Sequence, residues 1–304
     1  MTLSPDRINP LTGANYNNCV QYLGLPAADC RDTQTFKQFT PKASLTYKIG
    51  RGSIYASYGK GFKSGGFNPL GSRQAIIDAA VAVGLPASSV FVEDRFGKEV
   101  SETFELGAKL RLLDNRLSIN GSLFTTKVSN AQQFSFFPTA GIQATEVIDK
   151  VKLKGFDIDF TANPTEGLQI FGGYGYTDGE VRGFTPNPAY VGNRSPGSFK
   201  YTATLGALNK FQLTDTLSLT PRVEYQRFGS IWWDAANTAG TRRKPVELVN
   251  ARIMLASDSW EFALWSKNLF NERYNQEYVP LLGVLAVLYR ADPRSYGAEL
   301  KYRF

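Results

Sequence analysis

TFELGAKLRLLDNRLSINGSLFT, residues 103–125, alternates on both sides of a tight turn. Phe104, Leu106, Ala108, Leu110 and Leu112 fall on one face of the first arm, and Thr103, Glu105, Gly107, Lys109 and Arg111 on the other. A period of two marks a strand with one oily and one wet face. Asp114-Asn115 supply the turn. The return arm sets Leu117, Ile119, Gly121, Leu123 and Thr125 against Ser118, Asn120, Ser122 and Phe124. The stretch predicts a long β-hairpin.

The same unit recurs along the chain. Phe36 to Ile49 turns through Gly50-Arg51-Gly52 into Ser53 to Gly59, and Val147 to Ala162 turns through residues 163–167 into Leu168 to Asp178. Phe199 to Leu213 turns at Thr214-Asp215 into Thr216 to Arg227, and Val246 to Ala256 turns at residues 257–259 into Trp260 to Phe270. With a last strand, Arg294 to Phe304, eleven strands are expected. In Val151 to Ala162 the apolar residues switch from odd to even positions across Gly155, which predicts a β-bulge there. Short turns alternate with long connections, and most strands reach ten residues. Soluble sandwiches average about five or six residues per strand, whereas transmembrane barrels use about 9 to 11 with short turns at one end and long loops at the other. Tyr55, Tyr58, Tyr174, Tyr176, Trp260, Tyr302 and Phe304 gather near strand ends, as an interfacial girdle would require. The expected fold class is all-β, an antiparallel transmembrane β-barrel.

Composition agrees. The 304 residues hold 34 Lys plus Arg, 27 Asp plus Glu, two Cys and no His. Without histidine, Ser-His-Asp triads, Cys-His pairs, HExxH zinc sites and histidine general bases are excluded, so an ordinary hydrolase is not expected. The reading is of a protein that is not an enzyme, with no metal site and no cofactor. The longest nearly uncharged apolar stretch, Val279 to Tyr289, is too short to span a bilayer as a helix. The charge of +7 is scattered among acidic residues, which disfavours a nucleic-acid partner.

An odd number of antiparallel strands cannot close on itself, because the first and last run the same way. The chain is therefore expected to be part of a larger barrel. YASYGKGFKSGGFNP (residues 55–69), KLKGFDIDF (152–160), VGNRSPGSFKYTATLG (191–206), LVNARI (248–253), WSKNLFNERYNQEY (265–278) and RSYGAELKYRF (294–304) together resemble the C-terminal half of the barrel of TonB-dependent outer-membrane receptors. The resemblance covers residues 36–304. It implies the second half of a barrel of about 22 strands, in the outer membrane of a Gram-negative bacterium. It further implies a plug and a first half-barrel outside this chain, energy coupling by TonB through that plug, and folding by the barrel assembly machinery. The implied function is active uptake of a scarce solute such as a ferric siderophore. The alternative is a passive, porin-like channel complete as written.

Residues 1–35, rich in Pro, Asn and Asp, are expected to form an extracellular loop segment, closed by a Cys19–Cys30 disulfide. Loop aromatics Phe134, Phe136, Phe137, Tyr190, Trp232 and Trp233 are candidate stacking surfaces for a small-molecule ligand. Arg194, Arg242 and Arg243, with Arg227, are candidates to attract an anionic one. The apolar spacing in residues 74–83 predicts a short helix covering a loop, with Ile76, Ile77, Ala80 and Val83 on one side. Asp157 and Asp159 are expected to belong to a solvated wall, and the glycines of residues 59–67 to allow a bend. Tyr302 and Phe304 resemble the C-terminal assembly signal of such barrels.

Overall fold

The computed structural model describes residues 20, 23–26, 29–137, 140–281 and 285–304. In order, its strands are β1 (Lys42–Ile49), β2 (Gly52–Lys63), β3 (Gly66–Phe67), β4 (Arg95–Phe96), β5 (Glu99–Leu112), β6 (Leu117–Phe137), β7 (Ile142–Ala162) and β8 (Leu168–Gly183). They continue with β9 (Tyr201–Asn209), β10 (Phe211–Gln212), β11 (Ser218–Phe228), β12 (Val246–Ala256), β13 (Trp260–Lys267), β14 (Asn275–Leu281), β15 (Leu285–Arg290) and β16 (Ser295–Tyr302). The helix α1 (Ser72–Ala82) lies between β3 and β4.

The expected eleven strands form one antiparallel sheet in the order β1-β2-β5-β6-β7-β8-β9-β11-β12-β13-β16. The two-residue β10 is the continuation of β9 past Lys210, whose amide turns aside to the Gly167 carbonyl at 2.9 Å. At the quoted hairpin Leu112 pairs with Leu117, and Leu113, Asp114 and Asn115 all take positive φ. Asp and Asn tolerate this left-handed geometry better than most residues.

Alternation becomes two surfaces. Leu45, Ala56, Leu106, Leu123, Phe156, Tyr176 and Tyr201 pair in turn across seven strands as one outward row. Phe156 and Tyr176 stack at 6.0 Å, as do Tyr174 and Tyr201. Higher on the same face the row Lys60, Glu102, Lys127, Lys152 and Glu180 is charged, with Lys60 and Glu102 joined at 2.9 Å. Lipid cannot hydrate such a row, so the apolar band ends below it. The opposite face carries Tyr55, Glu105, Ser122, Asp157 and Thr202, as a polar lumen wall requires.

β6 and β7 are each 21 residues long. At about 3.4 Å per residue and a tilt near 45° they rise roughly 50 Å, about twice the apolar band. Their outer ends therefore stand in water. This corrects the sequence reading, which ended the fourth strand at Thr125 and began the fifth at Val147. Phe134, Phe136 and Phe137 lie within β6 rather than in a loop. Pairing lapses at Asn130, which takes positive φ, and then resumes in the same register to Phe137–Ile142, because β-formers such as Phe, Val and Thr continue past it. The stretch Val279 to Tyr289, taken as a connection, contributes to the β14–β15 hairpin.

The bulge is also displaced. Gly155 sits in continuous register with both Phe124 and Thr177, and the irregularity lies between Lys150 and Val151 against β8. Val151 and Leu153 share the inward face with Asp157. Above the membrane that face is covered by loops, so apolar residues belong there, and no register shift is needed. Gly155 serves close approach instead: a side chain would overlap the Tyr176 carbonyl and lie 2.7 Å from Phe124.

The apolar core sits at this outer end. Ala75, Ile76, Val92, Ile142 and Ala144 form one buried cluster, and Ile148, Val151, Val181 and Phe184 another. The predicted helix is present, but Val83 is exposed rather than packed, because the helix has already ended at Ala82.

Candidate functional site: an aromatic and acidic cavity at the outer end

Above the apolar band, the β6–β7 extension meets α1, the segments following β8 and β11, and the β14–β15 hairpin around a cavity of about 750 Å³. Local chemistry fixes each wall. Asn68, nearly fully buried, donates to the Glu93 and Thr145 carbonyls at 2.7 and 3.0 Å and accepts from the Thr145 amide at 2.7 Å. It thereby pins the α1 segment to β7. Asp94 accepts from the Gly71 and Arg73 amides at 2.8 and 2.9 Å, meeting backbone donors that a helix start leaves unpaired.

The segments after β8 and β11 clasp each other. Asn193 donates to the Ala235 and Ala236 carbonyls, and Asn237 both accepts from the Arg194 amide and donates to the Arg194 carbonyl, each at 2.9 to 3.0 Å. Gln133 of β6 reaches the Trp233 carbonyl at 3.1 Å. Phe91 meets Phe184 edge-on at 5.6 Å, and Phe184 stacks on Tyr190 at 5.5 Å. The floor is thus a rigid aromatic surface.

Of the residues singled out from sequence, Phe134, Phe136, Phe137, Tyr190 and Trp233 all line this one cavity. Trp232 and the arginines do not. Arg194 pairs with Asp178 at 3.3 Å and donates to the Thr177 carbonyl. Arg242 lies over Trp232 at 5.8 Å. Arg243 is held between Phe199 and Tyr274, at 4.9 and 5.6 Å, and burial pulls its pKa down. Arg227 sits on the outer face against Tyr201 and Glu247, not in the cavity. Sequence reasoning also missed residues of this wall. Glu146 and Ser135 face one another across β6 and β7, with the Ser135 hydroxyl donating to the carboxylate. Glu277, Tyr278 and Tyr289 arrive on the hairpin that was read as a connection. Their signal was the pair of tyrosines bracketing an apolar stretch of sequence.

Burial pushes the Glu146 carboxyl above the usual range, the Ser135 hydrogen bond draws it part of the way back, and the nearby Asp234 adds a smaller upward push. Among the described residues no group of side chains could hold a metal ion directly. Cys30 is buried and disulfide-bonded, while Cys19 and most of residues 1–35 lie outside the described residues. At the C-terminus, Tyr302 pairs with Trp260 and meets the Phe304 ring at 5.2 Å.

The family profile described as "TonB dependent receptor-like, beta-barrel" matches residues 6–275. The chain belongs to the TonB-dependent receptor barrel family. It is 27% identical over 210 residues to the probable TonB-dependent siderophore receptor PiuA of Acinetobacter baumannii, covering 66% of this chain and 25% of that protein. It is 25% identical over 280 residues to the ferrichrome outer membrane transporter/phage receptor of Escherichia coli K12, covering 88% of this chain and 33% of the relative. The chain thus spans a quarter to a third of these relatives. Among solved structures, the ferric yersiniabactin uptake receptor FyuA of Yersinia pestis superposes with a TM-score of 0.67 at 19% identity, over 86% of this chain and 37% of that one. TonB-dependent receptors are outer-membrane proteins of Gram-negative bacteria, a family of receptors and transporters rather than enzymes.

Proposed function

We propose that this TonB-dependent receptor chain is the closing half of an outer-membrane importer, and that the outer cavity captures a scarce metal chelate. The observation that carries the reading is the convergence of aromatic residues from β6 and from the segments after β8 and β11 on one cavity held above the apolar band. Aromatic surfaces bind ring-bearing or apolar ligand faces strongly because they bury large area at little entropic cost. Relatives named as receptors for siderophores and ferrichrome support a ferric chelate as the solute.

In this reading the wall performs no covalent chemistry. A plug, TonB and the barrel assembly machinery are its partners, and the bacterial outer membrane is its location. Residues 1–35 are assigned to an extracellular segment tied by Cys19 and Cys30, and Tyr302 with Phe304 to the assembly signal. The passive-channel alternative fits poorly, because β1 and β16 are both left as sheet edges and neither pairs with the other. In lipid each unpaired backbone group costs several kcal/mol.

The test is uptake of radio-iron from a panel of ferric chelates by iron-starved cells, with and without the gene encoding the receptor. Energy-dependent uptake of at least one chelate should vanish with the gene. Unchanged uptake of every chelate would sink the reading.

A further inference from the structure

Five segments meet at the outer cavity, and their charges are all of one sign. Glu146 comes from β7, Asp234 from the segment after β11 and Glu277 from β14, while no lysine or arginine is among the described lining residues. The nearby arginines are turned to other work: Arg194 to Asp178, Arg242 to Trp232, and Arg243 to Phe199 and Tyr274. The remaining wall is rich in aromatic residues, with Phe91, Phe184 and Tyr190 in ring contact and Trp233 beside them. Ring faces carry partial negative charge and attract cations, the more so when both are withdrawn from water. Carboxylates and ring faces therefore act in the same direction. An anionic chelate entering along this wall would meet repulsion from both, with no guanidinium among the described lining residues to offset it.

Resting on the reading of this cavity as the chelate site, we propose that its ligand is cationic, a metal chelate bearing a free ammonium group that lodges between the rings and the carboxylates of Glu146, Asp234 and Glu277. Burial and Asp234 both disfavour charge on Glu146. An ammonium group seated there relieves that repulsion, which makes the site selective for charge as well as shape.

The experiment uses the full-length receptor in detergent and three ferric trihydroxamate complexes built on one linear scaffold. The terminal amine is left free in the first, acetylated in the second and succinylated in the third, giving net charges of plus one, zero and minus one. Binding is read from quenching of tryptophan emission. The free-amine complex should bind about tenfold more tightly than the acetylated one, and the succinylated complex most weakly. Glu277→Gln, on the exposed hairpin, should shrink the spread without changing the heat-modifiable mobility of the folded barrel, and Glu146→Gln should shrink it further. A flat or reversed order, or no binding by any of the three, overturns the proposal. A reversed order with gene-dependent radio-iron uptake leaves the receptor reading standing and removes only the cationic ligand. Absence of both binding and gene-dependent uptake removes the two together.

Discussion

Gly155 illustrates how one residue is held by its neighbours. Its alpha hydrogen faces the Tyr176 carbonyl, and the Phe124 ring, directly across the ladder, fills the space a side chain would take. The same arrangement recurs where Tyr55 covers Gly107, Phe171 covers Gly206 and Trp265 covers Gly297. Gly155→Ala should destabilise the barrel by about 1–3 kcal/mol through overpacking against backbone that cannot move aside. Gly121→Ala, whose new methyl would lie 3.7 Å from the Asp157 carbonyl, should cost less than about 0.5 kcal/mol. Urea titrations of the folded receptor in detergent compare the two. Glu146 gives a pH prediction. Its folded pKa is raised, so its protonated form is the one folding favours, and the stability it contributes is present at low pH and lost as pH rises through the raised value. Melting of the outer cluster, followed from about pH 4 to about pH 8, should fall with pH in the native protein and flatten in Glu146→Gln. Equal slopes would contradict it.

The outer clusters make elements depend on one another. α1 contributes Ala75 and Ile76 to a cluster with Val92, Ile142 and Ala144, so the helix holds to β7 chiefly through that contact and the Asn68 bonds. Ile76→Ala should cost about 2–5 kcal/mol locally. Limited proteolysis would then cut near α1 much faster while the membrane-embedded strands stay protected. Loss of the whole barrel instead would show that the helix carries more than its own segment. At the other end, Phe304 stands fully exposed beyond β16, its ring 5.2 Å from that of Tyr302. Its removal should lower the amount of assembled receptor in outer membranes, read by immunoblot, with little change in the stability of what does assemble.

At the scale of the whole molecule the open edges dominate. Every residue of β1 is exposed, and Leu45, Tyr296 and Leu300 are each at least three-quarters exposed although they belong to an outward row made for lipid. The free backbone groups of β1 and β16 call for strands on either side. Hydrogen exchange should be fast at the outward-bonding amides of both edges in the isolated chain and slow in the full-length receptor. Slow exchange in the isolated chain would mean that the edges find each other or a second copy.

The fold class, the eleven strands and the sorting of turns were legible from the chain alone, because alternation with a period of two is written locally and the apolar band repeats it in every strand. Residues 103–125 were enough to show both faces. The outer site was only half legible. Phe134, Phe136, Phe137, Tyr190 and Trp233 stood out as aromatics beyond the membrane pattern, but whether residues so far apart in sequence meet depends on how β6 and the segments after β8 and β11 are brought together. The arginines misled for the same reason: a guanidinium's sequence neighbours do not reveal that Asp178, Phe199 or Tyr274 will claim it. Charge at the cavity was decided by tertiary structure, because Coulomb and cation–π interactions act through space over a few ångströms, and strand pairing decides which side chains come that close.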